Sequence, residues 1–204
     1  MALFITFEGG EGSGKSTQAR LLHQQLKHAG IPSLLTYEPG VTRLGEKINS
    51  ILKWSQDTSI SPVAELLLFN TSRAQLVSEV IKPALEKGIS VVCDRYADST
   101  TAYQGYGRAL DLAMVEAVNK IGMSGLVPDI TFLLDIPPEQ GLARKGQNID
   151  RFEVESVDFH NRIREGYQAL VRAEPQRWCV INAAFSKEKI AEIIWGKIRP
   201  LLPK

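Results

Sequence analysis

The chain has 204 residues, of which 44% are hydrophobic and 23% charged, and its formal net charge is +1 at pH 7. A near-neutral chain has no broad positive field for nucleic acid or membrane surfaces, and no apolar run in the sequence is long enough to span a bilayer. The length suits one domain with a core of ordinary size, which we predict to cover residues 1–204.

A short apolar strand, predicted over Leu3–Glu8, runs directly into the glycine-rich stretch GGEGSGKST. The spacing of Gly9 from Gly14-Lys15-Ser16, between this strand and a helix predicted over Ser16–His28, is that of a phosphate-binding P-loop. Glycine allows successive backbone N–H groups to turn inward around a phosphate, and the positive end of the helix adds to the attraction. The predicted nucleotide-binding residues are Gly9, Gly10, Glu11, Gly12, Ser13, Gly14, Lys15, Ser16 and Thr17.

Further along the chain, apolar runs of strand length alternate with segments of helical period. This alternation predicts βαβ units, and hence an α/β fold of the P-loop NTPase type, with a parallel five-stranded sheet flanked by helices. The other strands are predicted over Ser33–Tyr37, Ser90–Asp94, Asp129–Asp135 and Trp178–Asn182. The other helices are predicted near Gly45–Trp54, Ser61–Lys87, Leu110–Met123, Ser156–Ala173 and Lys187–Leu202.

Polar residues stand where these strands end, which is the edge at which parallel sheets bind ligands. Lys15 would bring a charge to the outer phosphates of the nucleotide, and the Ser16 hydroxyl would ligate Mg²⁺. Asp94 closes a buried strand, which beside a P-loop favours a magnesium contact over the alternative role of a helix N-cap. Arg95 follows directly and would clamp the donor and acceptor phosphates, its alternative being a surface ion pair.

Segment 137–153 is polar and rich in Arg, Lys and Gly, which is typical of a flexible cover, and we predict a mobile lid there. No residue in the sequence stands out as a general base. A phosphate acceptor needs none, because a nucleoside monophosphate is already mostly dianionic at neutral pH. The sequence therefore favours a phosphate acceptor over an alcohol.

The cysteines and the N-terminal residues indicate the cellular compartment of the protein. Cys93 and Cys179 each lie in an apolar strand-like run, which favours buried, reduced thiols. No charged leader precedes the first strand, so a signal peptide is not expected. Both features predict a cytoplasmic protein.

Five motifs occur in order at sensible spacings: FEGGEGSGKSTQ, EPG followed by TRLGEKI, ELLLF followed by SRAQ, DRYADSTTAYQG and DRFE. They extend over nearly the whole chain, which resembles the bacterial thymidylate kinase family. The block from DRY to AYQG is the most specific, since many families share a P-loop. The resemblance implies a homodimeric enzyme that phosphorylates dTMP to dTDP with ATP and Mg²⁺.

The resemblance also implies roles in the acceptor pocket. Phe69 matches the residue that stacks on thymine, although a core position is its alternative, and Arg73 matches the arginine that donates to a thymine carbonyl. Thr100 and Gln104 match a polar pair at the other base edge, where a side-chain amide offers both a donor and an acceptor. The implied substrate-binding residues are Glu11 for the sugar 3′-hydroxyl, Tyr103 beneath the deoxyribose, Arg95 for the phosphate, and Glu38, Pro39, Phe69, Arg73, Thr100 and Gln104.

In this family a transition-state arginine comes from the P-loop or from the lid. In this chain Gly12 stands at the P-loop position that would carry such an arginine. The resemblance therefore implies that the lid provides it. Arg144 and Arg151 are the candidates, and Lys145 could share the role. With Lys15 and Arg95, the two arginines complete the predicted catalytic set.

Two positions depart from the family pattern. Val41 follows EPG where a second glycine is common, which would narrow the conformations of that turn. Asn49 stands where an arginine often contacts the monophosphate, so weaker dTMP binding is expected unless Arg43 or Arg95 compensates. The Glu38-Pro39 peptide in the same motif is expected to be cis.

Three other functions remain open on the sequence alone. The same P-loop, acid and arginine would serve a kinase for another nucleotide or for a nucleoside. The second function is a GTPase-like switch, because Asn119-Lys120 is similar to part of a guanine-reading motif. Gly122 stands where that motif has an aspartate, so polar residues on a helix surface are the favoured interpretation. The third function is a nucleotide-gated interaction module that binds ATP without transferring phosphate.

Overall fold

The computed structural model describes residues 2–54, 59–144 and 151–202. In this part of the chain five parallel strands form one sheet in the order second, third, first, fourth, fifth. They are β1 (Phe4–Glu8), β2 (Ser33–Tyr37), β3 (Ser90–Asp94), β4 (Ile130–Asp135) and β5 (Trp178–Asn182). The predicted fold class is confirmed, and each strand begins within one residue of its predicted start.

The described helices cover both faces of the sheet, and none of them combines the length and apolarity that crossing a bilayer requires. Ile5 and Phe7 of β1 lie in the hydrophobic cluster on one face, whereas Phe4 lies in the cluster on the other, because successive strand residues point to opposite sides. The helices are α1 (Lys15–His28), α2 (Arg43–Trp54), α3 (Pro62–Leu76), α4 (Lys82–Glu86), α5 (Ala97–Thr100), α6 (Leu112–Met123), α7 (Pro138–Leu142), α8 (Val157–Ala173) and α9 (Lys187–Ile198).

The helix predicted over Ser61–Lys87 is one helical stretch with an irregular middle. Ser61 caps it by accepting a hydrogen bond from the N–H of Ala64, and a proline occupies the first helical position. A π-helical segment, Val77–Ile81, lies between α3 and α4. Pro83 in α4 accounts for this wider turn, because proline lacks an N–H and its ring crowds the preceding turn.

Helical structure directly after β3 is a feature that the sequence pattern did not predict. α5 continues into a π-helical segment, Thr101–Gly107. Its threonines and glycines have low helix propensity, which hides the helical period. α5 carries Thr100 and the π-helical segment carries Tyr103 and Gln104, three of the residues predicted to bind the substrate.

The strand order brings the predicted site elements to one edge of the sheet. β1 and β3 are neighbours, with Phe7 aligned to Asp94, and β2 lies on the other side of β3. The P-loop, the turn after β2 and Arg95 therefore leave the sheet side by side.

The turn after β2 contains the expected cis peptide between Glu38 and Pro39, and a strained residue two positions later. Val41 has a φ of 69°, in the left-handed region that a β-branched side chain rarely adopts. Replacing Val41 by glycine is expected to stabilise the protein by about 0.5–1 kcal/mol, since relief of strain outweighs the added freedom of the unfolded chain. Urea denaturation would measure the gain.

Val127 is the control for this prediction, because it is an exposed valine in an irregular segment whose φ is not positive. Glycine there is expected to lower stability by about 0.5–1 kcal/mol, through chain entropy alone. Equal losses at the two positions would contradict the claim that Val41 is strained.

Candidate active site

The P-loop curves around an open space at the start of α1. Gly9, Gly12 and Gly14 have φ angles of 138°, 63° and 93°, in the region that favours glycine. Gly12 also touches the backbone of α7, where a Cβ on it would lie 1.9 Å from the carbonyl oxygen of Gly141. Residues 11–17 line a cavity of about 340 Å³, and the two glycines before them lie outside its lining.

Lys15 points back into the P-loop. Its Nζ donates to the carbonyl oxygen of Gly10 at 2.6 Å and to Ser13 Oγ at 3.2 Å. Burial lowers the pKa of Lys15 to about 8, and the nearby charge of Arg95 acts in the same direction. A bound phosphate would favour the charged form of Lys15 and raise this pKa.

Of the two residues predicted to bind Mg²⁺, Ser16 belongs to the described cavity lining and Asp94 does not. Ser16, in the first turn of α1, is exposed and lines the cavity. Asp94 ends β3, and its buried Oδ1 has no hydrogen-bond partner among the described residues. In the same part of the chain no cluster of three or more Asp, Glu, His or Cys side chains could hold a metal alone. A carboxylate, a hydroxyl and nucleotide phosphates together suit Mg²⁺, so these residues fit that ion.

Arg95 is the centre of a polar cluster beside the P-loop. Its Nη2 donates to Glu11 Oε1 at 2.7 Å and to the Tyr103 hydroxyl at 3.0 Å. The Tyr103 hydroxyl donates in turn to Glu11 Oε1 at 2.6 Å. Arg95 Nη1 donates to Ser99 Oγ at 3.2 Å and to the carbonyl oxygen of Gly9 at 3.3 Å. Three residues predicted to bind the acceptor therefore lie in direct contact.

Glu8 is a buried carboxylate next to this cluster that sequence reasoning missed. Its Oε1 accepts from the backbone N–H of Tyr96 at 2.8 Å, and its Oε2 accepts from Ser99 Oγ at 2.5 Å and the Tyr167 hydroxyl at 3.0 Å. Burial raises the pKa of Glu8 to about 7. These bonds anchor the backbone directly after Arg95, whose φ is 69°. The signal that could have found Glu8 is an acid ending an apolar strand before the P-loop.

The part of the cavity lined by α3 and α5 is aromatic and polar. Phe69 and Tyr103 both pack against Phe152, with ring centroids 5.9 Å apart in each pair. Thr100 and Gln104 are buried and also line the cavity, one helical turn apart. Phe152, from the DRFE motif, is an aromatic residue of the cavity lining that sequence reasoning did not single out.

Arg73 lines the same region, and its side chain is buried. All five of its N–H groups donate to protein atoms, at distances between 2.7 and 3.2 Å. The acceptors, from Nε to Nη2, are Glu38 Oε2, Asn70 Oδ1, Asn119 Oδ1, the Tyr96 carbonyl oxygen and Thr100 Oγ1. A thymine carbonyl would therefore share a donor that Arg73 already uses.

Glu38 pairs with Arg73 at 2.8 Å, and both side chains are almost completely buried. Burial raises the pKa of Glu38 to about 7, although the Arg73 charge opposes the shift. Its second oxygen, Oε1, has no hydrogen-bond partner in the described part of the chain. Glu38 and the following Pro39 line the cavity.

Asn119 is buried, whereas the sequence predicted that it lies on a helix surface. It is buried on α6, where it accepts from Arg73 and donates to Thr101 Oγ1 at 3.0 Å. The surface interpretation is correct for Lys120, which is exposed and pairs with Glu116 at 2.7 Å. Asn119 and Lys120 are absent from the described cavity lining, so nothing in their position supports guanine recognition.

The two lid arginines occupy different places. Arg144 lines the cavity and donates to the carbonyl oxygen of Ala183 at 3.0 Å. Arg151 donates to Glu65 Oε2 at 2.6 Å and is absent from the described lining. Lys145, the third candidate, lies outside the described residues.

α2 provides a cation that the sequence analysis did not consider. Arg43 is exposed, and neither it nor Asn49 belongs to the described cavity lining. Lys53, one helical turn after Asn49, does line the cavity. The i, i+4 spacing of Asn49 and Lys53 was the available signal.

A parallel sheet with a P-loop after its central strand, an acid at the end of the neighbouring strand and an arginine directly after it has the α/β fold of P-loop kinases. A family model described as Thymidylate kinase matches residues 7–194. The chain is 51% identical over 203 residues to a thymidylate kinase of Dehalococcoides mccartyi (strain ATCC BAA-2266 / KCTC 15142 / 195), with 99% of this chain and 98% of that protein covered.

Two further relatives carry the same name. The chain is 49% identical over 216 residues to a thymidylate kinase of Roseiflexus sp. (strain RS-1), with coverage of 99% and 96%. It is also 49% identical over 201 residues to one of Synechococcus sp. (strain JA-2-3B'a(2-13)), with coverage of 98% and 96%. The chain belongs to the thymidylate kinase family and is therefore an enzyme, which confirms the resemblance found in its motifs.

Proposed function

We propose that this enzyme transfers a phosphoryl group from ATP to dTMP, giving dTDP, by direct in-line transfer with Mg²⁺. The observation that supports this best is that one cavity is lined both by the P-loop and by Phe69, Thr100 and Gln104. A triphosphate and a nucleotide acceptor could meet there with their reacting phosphates held together. The names of the relatives point to the same acceptor.

The residues have distinct roles in this proposal. The P-loop N–H groups and Lys15 bind the donor phosphates, and Arg95 binds the phosphate of dTMP. Ser16 and Asp94 would hold Mg²⁺, which neutralises phosphate charge when bound. Arg95 also offsets the repulsion between the two approaching anions. No base is needed, because the attacking oxygen belongs to a phosphate that is already ionised.

Glu11 and Tyr103 are proposed to bind the sugar. A carboxylate inside a phosphate site would repel the ligand if it stood alone, but Arg95 lies 2.7 Å from Glu11 and offsets its charge. Glu11 can then accept a hydrogen bond from the 3′-hydroxyl. The Tyr103 ring beneath the deoxyribose would leave no room for a 2′-hydroxyl.

Segment 137–153 is proposed to form the lid of the single kinase domain, and Arg144 is its catalytic arginine. Arg144→Ala is expected to lower kcat by about 10²-fold, the effect of removing one group that stabilises transition-state charge. Arg151→Ala is expected to lower kcat by less than about tenfold. Single-turnover kinetics with saturating substrates would measure both, and a reversed order of effects would assign the role to Arg151.

Lys53 is proposed to supply the positive charge that Asn49 lacks. Lys53→Ala is expected to raise KM for dTMP about tenfold and leave KM for ATP unchanged, as for loss of one charge-assisted hydrogen bond. Asn49→Arg in the Lys53→Ala background is expected to restore much of the affinity. Lys47→Ala, which removes an exposed lysine from the same helix, is the control. If Lys53→Ala behaves like this control, Lys53 does not contact the acceptor.

We also propose a homodimer in the cytoplasm. Val63 and Leu67 on α3 are 44% and 50% exposed, and Ile51 on α2 is 42% exposed, so the packed helices α2 and α3 present apolar surface to a second copy. Cys93 and Cys179 are free thiols, which suits a reducing compartment. Sedimentation equilibrium of the wild type and of Leu67→Glu would test the dimer, since the charge should dissociate it.

A coupled ADP-release assay with a panel of acceptors tests the proposed function. Turnover is expected to be strongest with dTMP, weaker with dUMP, and negligible with AMP, CMP or thymidine. Turnover of another monophosphate or a nucleoside instead would identify a different kinase. ATP binding without transfer to any acceptor would favour the interaction module.

A further inference from the structure

Glu65 is a completely buried carboxylate next to the cavity, and it has no role in the mechanism above. Its Oε1 accepts from Arg108 Nε at 3.2 Å, and its Oε2 accepts from Arg108 Nη2 at 3.3 Å and from Arg151 Nη2 at 2.6 Å. Guanidinium groups can only donate hydrogen bonds. Both oxygens of Glu65 therefore act as acceptors, and two guanidinium groups on one carboxyl group favour the carboxylate form, which only accepts.

Gln104 is the neutral partner of this carboxylate. Its side-chain amide lies 2.7 Å from Glu65 Oε1. A carboxylate can only accept hydrogen bonds, so the amide must direct its NH₂ group, and not its oxygen, toward Glu65. The carbonyl oxygen of Gln104 is then the arm that remains for a ligand in the cavity, which Gln104 lines.

Thr100, which also lines the cavity, offers a hydrogen-bond donor where Gln104 offers an acceptor. Its hydroxyl oxygen accepts from Arg73 Nη2 at 2.7 Å. An arginine cannot accept in return, so the hydroxyl proton of Thr100 is the part that can be donated elsewhere. One helical turn thus presents an acceptor on Gln104 beside a donor on Thr100.

This pair matches one kind of pyrimidine edge. Thymine and uracil present a ring N–H beside a carbonyl oxygen, whereas cytosine presents a ring nitrogen acceptor beside an amino group. The first edge pairs with an acceptor and a donor, and the second would place acceptor against acceptor and donor against donor. A buried mismatch of this kind leaves polar groups unpaired and is strongly unfavourable.

We propose that Glu65 is a positioning residue that sets the substrate class, by holding Gln104 in the orientation that accepts from the ring N–H of thymine or uracil and rejects cytosine. This inference rests on the proposed function, since it assumes that the base lies between Phe69 and Gln104. Arg108 supports the arrangement, because its guanidinium also lies 4.7 Å from the ring centroid of Phe159.

Glu65→Gln tests the proposal because glutamine can donate as well as accept, which allows Gln104 to turn over. The measurement is kcat/KM for dTMP, dUMP and dCMP. We expect the dTMP-to-dCMP ratio to fall by about tenfold or more. The dTMP-to-dUMP ratio should stay constant, because both bases carry the same ring N–H. Glu155→Gln, which also removes an ion-pair partner of Arg108 but lies outside the described contacts of Gln104, should change neither ratio.

A parallel loss of activity with all three nucleotides would show that Glu65 is only structural, and would overturn the proposal. If Glu65→Gln does not fold, binding of 3-methyl-dTMP to the wild type provides a second test, since its ring nitrogen carries a methyl group instead of a hydrogen. Binding at least about tenfold weaker than that of dTMP would support the proposal, and equal binding would overturn it. Wild-type turnover of dTMP separately reports on the proposed function.

Discussion

Replacing Lys15 by methionine is expected to lower kcat for phosphoryl transfer by about 10²- to 10³-fold. Methionine keeps much of the length and volume of the side chain and removes its charge. In the proposed mechanism the ammonium group stabilises charge on the outer phosphates during transfer, and no other residue of the P-loop carries a positive charge. Binding of ATP should weaken much less, because the backbone N–H groups of the loop remain.

Lys15→Met is expected to lower activity without lowering the free energy of unfolding. The pKa of Lys15 in the folded protein is lowered to about 8, from 10.5, chiefly by burial. The folded state therefore holds the Lys15 proton less tightly than the unfolded state, and this costs stability below pH 8. The cost is relieved as the pH rises from 8 to 10.5. Lys15→Met removes the cost, so the variant should be at least as stable as the wild type at pH 7.

Three measurements on the same preparations check this prediction: kcat with dTMP, the Kd for ATP by titration calorimetry, and urea denaturation at pH 7 and pH 9.5. Lys27→Met is the matched control, since Lys27 is an exposed lysine on the same helix. The control should leave all three quantities unchanged. Loss of activity together with loss of stability would mean that Lys15 is needed for folding and would contradict its assignment to catalysis.

The parts of the site that could be predicted from the sequence are those with local signals. The P-loop is continuous in the chain. Asp94 ends an apolar strand that must be buried, and Arg95 directly follows it. Strands of this fold are also recognisable one at a time, because each is a short apolar run between turns. The rules for parallel sheets then place the strand ends together without further information.

The residues that could not be predicted act through contacts between distant parts of the chain. Glu65 and Gln104 are 39 positions apart, and Glu65 and Arg151 are 86 positions apart. In the sequence Glu65 reads as an ordinary acid in the first turn of a helix, where such residues are favoured by the helix dipole. Its burial follows from tertiary packing, because α3 packs against α2, α6 and the segment after β3, and the helical structure of that segment was itself hidden by low propensity.

Arg73→Ala is expected to destabilise the protein by about 3–5 kcal/mol, because it leaves the buried carboxylate of Glu38 without its ionic partner. Glu38 and Arg73 are 2.8 Å apart, and their side chains are 3% and 1% exposed. The side-chain oxygens of Asn70, Asn119 and Thr100 would lose a donor as well. This loss of stability would itself lower activity, whether or not Arg73 contacts thymine. The role of Arg73 therefore has to be tested by stability measurements as well as by activity.

The pH dependence separates the charge of Glu38 from the lost hydrogen bonds. The folded-state pKa of Glu38 is raised to about 7, from 4.5, so the folded protein binds its proton more tightly than the unfolded chain does. Stability attributable to Glu38 is therefore highest at low pH and is lost as the pH rises from 4.5 to 7. Without Arg73, whose charge lowers the pKa of Glu38, this loss should continue above pH 7.

Urea denaturation of the wild type, Arg73→Ala, Glu38→Gln and the double variant at pH 6 and pH 8 tests this expectation. The penalty of Arg73→Ala should be larger at pH 8 than at pH 6, and Glu38→Gln should remove that difference in the double variant. A penalty that is equal at the two pH values would show that the buried charge is not its cause. The lost hydrogen bonds to the asparagines and Thr100 would then account for it, and Arg73 would act as a neutral structural donor.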